Sequence, residues 1–139
     1  MAVAGNKKLI LSGCLVVDDK REHILLLLRK DHGYYETPGG KLQGDETLEQ
    51  AALRELHEEL GDGVKVESVK YFGNVEFVIP DGRRAEANKF LVNISGAPRV
   101  NEPKTFERLD WLPIKNLEDY PLSPDLKLLL QEIKEKILG

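Results

Sequence analysis

The chain has 139 residues, 41% hydrophobic and 32% charged, with a formal net charge of −4. That length and composition suit one soluble globular domain spanning residues 1–139. The acidic balance argues against a nucleic-acid polymer or an anionic membrane as partner. A small anionic substrate stays open, because a bound cation reverses the local field. Residues 1–6 show no apolar leader core, and the longest aliphatic run, 24–28, is far short of the ~20 residues a membrane helix needs. A cytoplasmic location is therefore expected.

Residues 9–17 are aliphatic and β-branched and predict a strand. Cys14, the single cysteine, lies inside it and reads as a buried core thiol. Residues 18–21 make a polar turn. Residues 24–28 are nearly all apolar and predict a second strand buried on both faces, forming a hairpin with the first. Residues 31–40 read as loop, because Gly33, Pro38, Gly39 and Gly40 interrupt regular structure. Asp45 offers a helix N-cap and Glu46 adds charge to the first turn. A helix over 48–60 ends at Gly61 and Gly63. A strand over 64–79, a turn at Pro80-Asp81-Gly82 and a return strand over 87–94 follow. After a loop over 96–105 and a short strand over 109–112, Ser123 and Pro124 open a last helix. Its apolar stripe is Leu126, Leu129, Leu130, Ile133 and Ile137. The mixture predicts an α+β fold, a mixed sheet packed by helices.

Residues 40–61 read GKLQGDETLEQAALRELHEELG, and the acids carry the chemistry. At about 100° per residue, Glu55, Glu58 and Glu59 share one arc of the helix, while Leu53, Leu56 and Leu60 face the sheet. Three like charges on one patch repel one another, and Arg54 supplies only one positive charge. A hard divalent cation restores the balance, and oxygen-only ligands favour Mg²⁺ or Mn²⁺. A solvated acidic helix face would explain RELHEEL by itself. The glycine turn ahead of it tips the reading, since bare backbone at Gly40 can bring a carbonyl to the same cation.

The spacing is Gly40, five residues, Glu46, seven residues, then Arg54-Glu55-Leu56-His57-Glu58-Glu59-Leu60-Gly61. It resembles the Nudix box of the Nudix hydrolase superfamily. One position departs: Asp62 stands where the box has an apolar residue, and Val64 is expected to take over that packing. The resemblance implies an α/β/α sandwich and hydrolysis of a diphosphate linkage in a nucleoside diphosphate derivative. It implies that Glu55, Glu58 and Glu59 bind the metal together with the Gly40 carbonyl. Glu46 and Arg54 would orient the helix and its acids through ion pairs, and Gly61 closes the motif. In this family the general base is a box glutamate or an acid in the loop before the late tryptophan. Glu102 and Glu107 are the candidates there, with Glu107 favoured. Nudix enzymes are often homodimers, and no long apolar stripe in the sequence decides that point.

Residues 35–41, YETPGGK, with Gly44 to Thr47 and Glu49 to Ala51, are similar to MutT-type nucleoside triphosphate pyrophosphatases. Arg29, Tyr35, Glu36, Gly39 and Lys41 are then expected on the substrate, with Tyr34 or Tyr35 stacking on a base. Anchoring of the loop to the sheet is the competing role for these tyrosines. The expected substrate is a (deoxy)nucleoside triphosphate, giving monophosphate and pyrophosphate. ADP-ribose or a nucleotide sugar is the second enzyme reading. The array that marks NADH pyrophosphatases is absent, and Pro80 reads as a turn residue rather than the proline of ADP-ribose pyrophosphatases. Non-catalytic Nudix binding modules usually lack box acids, whereas Glu55, Glu58 and Glu59 are all present.

Overall fold

The computed structural model describes residues 8–138; the reading of residues 1–6 as lacking a leader core lies outside them. In chain order the strands are β1 (Leu9–Val17), β2 (His23–Arg29), β3 (Tyr35–Glu36) and β4 (Gly39–Lys41). Helix α1 (Leu48–Leu60) follows, then β5 (Val64–Val78), β6 (Arg84–Gly96) and β7 (Phe106–Pro113). A 3-10 helix (Ile114–Asp119) leads to α2 (Pro124–Lys136). The strands form one mixed sheet in the order β3-β2-β1-β6-β5, with β4 also on β1 and β7 on β2. Among the described strand pairs only β1 and β6 run parallel.

Alternation along the strands divides the core between two faces. Cys14, Val16, Leu25 and Leu27 pack with Ala52, Leu56 and Leu60 of α1. Leu15, Val17, Ile24 and Leu26 pack with Leu126, Leu129, Ile133 and Ile137 on the α2 side. The architecture is the α/β/α sandwich. Leu130 of the expected stripe is only partly buried. Among the described residues no helix is long and apolar enough to cross a membrane.

Three features differ from the sequence reading. The β1–β2 hairpin is paired only at Val16↔Leu25 and Val17↔Ile24. Beyond that the strands diverge, and the segment read as loop enters the sheet. β4 pairs with β1 through Leu11↔Lys41, Ser12↔Gly40 and Gly13↔Gly39, and β3 pairs with β2. Two glycines permit this: a β-carbon on Gly39 would lie 2.8 Å from the Gly13 α-carbon. Glycine is a poor strand former, so local preference points away from the pairing that close approach allows.

The N-cap of α1 is Thr47 rather than Asp45. The Thr47 hydroxyl accepts from the Gln50 amide and the Gln50 side chain accepts from the Thr47 amide, a reciprocal capping box. Asp45 is exposed in the preceding turn, where the Glu46 amide donates to the Gln43 carbonyl. At the other end Asp62 is exposed and Val64 is buried in the α1-side core, so the packing position has moved two residues along.

The Cys14 thiol is fully buried, donates to the Ala52 carbonyl, and is pushed up to about 12 by burial. Thiolate chemistry is therefore closed to it in the folded chain. Native protein at pH 8 is expected to leave a disulfide reagent such as DTNB unreacted over minutes, with one thiol titrating once guanidinium is added. Rapid stoichiometric reaction without denaturant would contradict this packing.

Candidate active site

Arg54 organises the acids of α1. Its Nε donates to Glu46 Oε2 at 2.5 Å and its Nη2 to Glu46 Oε1 at 3.0 Å, a two-pronged pair. Nη2 also donates to the Lys41 carbonyl at 3.0 Å. Nη1 reaches Glu58 at 3.2 Å and lies 3.5 Å from Glu55. One guanidinium thus ties the turn before the helix, the end of β4 and two box acids together. Helical spacing places Glu58 at i+4 from Arg54, and the long guanidinium also comes near its chain neighbour Glu55.

The glycine turn meets the acids from the other side. A β-carbon on Gly40 would lie 2.6 Å from the Glu55 carboxyl carbon, so a side chain there would displace the Glu55 carboxyl from its present position. The Gly39 amide donates to Glu59 Oε2 at 3.3 Å. Glu59 is a buried carboxylate at 4% exposure, and its Oε1 has no hydrogen-bond partner. Burial pushes the Glu59 carboxyl up to about 9, with the charges of Glu55 and Glu36 adding to the effect. Burial, with the neighbouring Glu58 charge, pushes Glu55 up to about 7. Glu102 also acts on both acids.

These observations test whether a cation fits. The donors are all oxygen, one buried oxygen lacks a partner, and the acids resist ionising together; each point suits a hard divalent cation. The side chains are gathered but not closed, since among the described residues no three converge on a common metal position. Glu58, 46% exposed, is turned toward Arg54.

Beside the acids lies a cavity of about 270 Å³ lined by β1, β4, the β5–β6 turn and the start of α2. Arg29, Glu36, Gly39, Gly40 and Lys41 all line it. Arg29 donates to Glu36 at 3.0 Å and to Asp31 at 2.6 Å. Pro80, in the turn closed by the Gly82 amide on the Ile79 carbonyl, also reaches the cavity wall. At its back is a buried pair: Lys89 Nζ lies 2.7 Å from Asp125 Oδ2 and donates to Thr37 Oγ1 at 2.7 Å. Burial pushes the Asp125 carboxyl up, but the Lys89 charge and hydrogen bond outweigh it, so it stays below its ordinary value. The sequence reading did not single out Lys89 and Asp125. A lysine inside an apolar strand and an acid right after the helix-opening proline were the available signals.

Two expected residues lie elsewhere. Tyr35 is 3% exposed in the α2-side core, its hydroxyl donating to Asp110 at 2.6 Å and its ring edge-on to Tyr120. It cannot stack on a base; Tyr34 lines the cavity instead. Adjacent strand residues point to opposite faces, so Glu36 faces the cavity and Tyr35 the core. Glu107 is exposed on β7, and Glu102 rather than Glu107 is among the leading charges on Glu55 and Glu59. Phe106, buried beside Glu107, anchors the strand at that point.

This arrangement has known counterparts. The NUDIX domain family model matches residues 9–133. The chain belongs to that family and is a Nudix-type pyrophosphohydrolase. It is 41% identical over 81 residues to an 8-oxo-dGTP diphosphatase of Proteus vulgaris, covering 55% of this chain and 70% of that one. It is 36% identical over 114 residues to the NAD-capped RNA hydrolase NudC of Vibrio parahaemolyticus, covering 80% of this chain but only 41% of that longer protein. The crystal structure of a MutT NUDIX hydrolase from Burkholderia pseudomallei matches with a TM-score of 0.79 and 31% identity, covering 90% of this chain and 97% of that one. Nudix hydrolases generally use divalent cations such as Mg²⁺.

The raised acids set a pH dependence. Folded Glu55 and Glu59 keep protons that the unfolded chain releases near the ordinary value of 4.5. Between about 4.5 and 9 the folded state binds more protons, so metal-free stability falls as pH rises through that window. A cation relieves the same repulsion. Calorimetry in chelator should show the melting temperature falling from pH 5.5 to 8.5, and millimolar Mg²⁺ should raise it more at the higher pH. A Mg²⁺ effect that shrinks with rising pH would exclude this account.

Gly40→Ala should push Glu55 aside and remove most turnover while the far-ultraviolet circular dichroism stays parental. Parental turnover would show that Glu55 can shift without consequence.

Proposed function

We propose that the chain hydrolyses a (deoxy)nucleoside triphosphate to monophosphate and pyrophosphate. In this reading Mg²⁺, or Mn²⁺, is held by the Gly40 carbonyl with Glu55, Glu58 and Glu59. Glu102 replaces Glu107 as the additional ligand or base. The observation that carries the substrate reading is the cavity beside the acids. At about 270 Å³ it is at the low end of small-molecule sites, with room for one nucleoside. Its back wall carries paired donor and acceptor groups, Lys89 and Asp125, which suit the polar edge of a base. The similarity to an 8-oxo-dGTP diphosphatase and a MutT hydrolase favours the same class.

When bound, the cation supplies charge neutralisation for the phosphates and activation of the attacking water. The chain's own residues do the rest. Arg54 holds Glu58 and the β4 backbone in place. Arg29 and Lys41 present positive charge to the polyphosphate along the cavity rim. A carboxylate of the cluster takes the proton of the water. Nucleoside triphosphates are held in the cytoplasm, where we place the activity.

Phosphorus NMR of the protein with Mg²⁺ and a nucleotide panel tests the reading. Pyrophosphate and a nucleoside monophosphate are the expected products. AMP and ribose phosphate from ADP-ribose would replace the substrate assignment, and no turnover of any nucleotide would leave a binding module. On the preferred nucleotide, Glu58→Gln should lower kcat by about two to four orders of magnitude with the fold retained. Parental kcat would remove Glu58 from the site.

A further inference from the structure

The loop that carries Glu102 also contacts, at the far end of α1, the turn that holds two of the acids. The last four carbonyls of a helix have no partner within it. In α1 all four are taken. The Gly61 amide donates to the His57 carbonyl at 2.9 Å. Asn101 Nδ2 donates to the Glu58 carbonyl at 2.9 Å. The Asn101 amide donates to the Glu59 carbonyl at 3.0 Å, and the Arg99 amide to the Leu60 carbonyl at 2.9 Å. The Asn101 side chain is itself oriented: its Oδ1 accepts from Arg99 Nε at 3.2 Å and Nη2 at 2.8 Å, leaving Nδ2 to face the helix. Gly61 makes room for the guanidinium, since a β-carbon there would lie 3.1 Å from Arg99 Nε.

The next residue after this clamp is Glu102. Its carbonyl accepts from the Thr105 and Phe106 amides, and buried Phe106 seats that turn in the core. Glu102 is therefore one residue from an anchor on the backbone of Glu58 and Glu59, with a second anchor four residues on.

We infer that Asn101, oriented by Arg99, is a positioning residue that holds the last turn of α1 helical and sets Glu102 against the metal-binding acids. Helix ends fray first, and Glu58 and Glu59 lie in the last turn. Without the clamp both carboxylates gain freedom and Glu102 loses its register. The inference rests on the cation set proposed above.

Titration of Mn²⁺ against the metal-free protein, following the free-ion electron paramagnetic resonance signal, reads this without substrate. Asn101→Ala should weaken Mn²⁺ binding about tenfold, the low end for groups that support metal ligands. Arg99→Ala, which frees the Asn101 amide to rotate, should weaken it less. In turnover, kcat should fall at saturating Mg²⁺ while KM for the nucleotide stays within about twofold. Combining Asn101→Ala with Glu102→Gln should weaken Mn²⁺ binding by less than the product of the two single effects, because both act through one group. Parental Mn²⁺ affinity in Asn101→Ala, with only a lowered melting temperature, would overturn the inference and leave a structural clamp. Multiplicative single effects would overturn the link to Glu102. Failure of the parent protein to bind Mn²⁺ would overturn the proposed cation set and this inference with it.

Discussion

Repulsion among Glu55, Glu58 and Glu59 is the constraint that the surrounding structure answers. Arg54 draws Glu58 outward and holds Glu46 in two-pronged contact, while the Gly39 amide steadies Glu59. That is incomplete compensation: Glu59 keeps an unpartnered buried oxygen, and both Glu55 and Glu59 hold protons well above the ordinary range. These acids are held protonated by burial first and by their neighbours' charges second, and a cation that bound in place of those protons would stabilise the folded chain. On the cation set proposed above, the same local destabilisation that weakens the metal-free protein would favour binding of a cation there.

The sheet supplies the second half of the site by failing to close. β1 and β2 share only a short ladder, and β3 and β4 fill the gap between them. This wedge delivers Gly39 and Gly40 to the acids on one side and Glu36 and Thr37 to the cavity on the other. Lys89, which would be costly alone inside a strand, is matched by Asp125 from a helix 36 residues further along the chain and by Thr37 from the wedge. The pair forms only when all three elements are assembled, so the cavity wall depends on the whole fold.

Except for β3 and β4, which read as loop, the strands, both helices and the acidic face were legible in the sequence because each is a local pattern. Aliphatic runs, a helical leucine stripe and the Arg54-Glu55 to Gly61 spacing carry their own signal. The misreadings share one cause. Asp45 was a plausible cap, but Thr47 and Gln50 satisfy two amides at once. Tyr35 and Glu36 are neighbours whose destinations depend on which way a two-residue strand faces. Glu102 and Glu107 are equivalent as isolated acids, and only the fold shows that Glu102 follows a residue bonded to the end of α1 while Glu107 follows buried Phe106 on β7.

The sequence by itself determined the reaction class, because the chemistry of a metal-assisted phosphate site needs particular side chains at helical spacing, and spacing along a helix is read directly from the chain. Tertiary structure alone decided what stands opposite those acids: the glycine contact of β4 with β1, the Lys89–Asp125 wall and the Asn101 clamp. Each joins segments far apart in the chain. Burial and long-range pairing set their energies, and neither is encoded in any single stretch of residues.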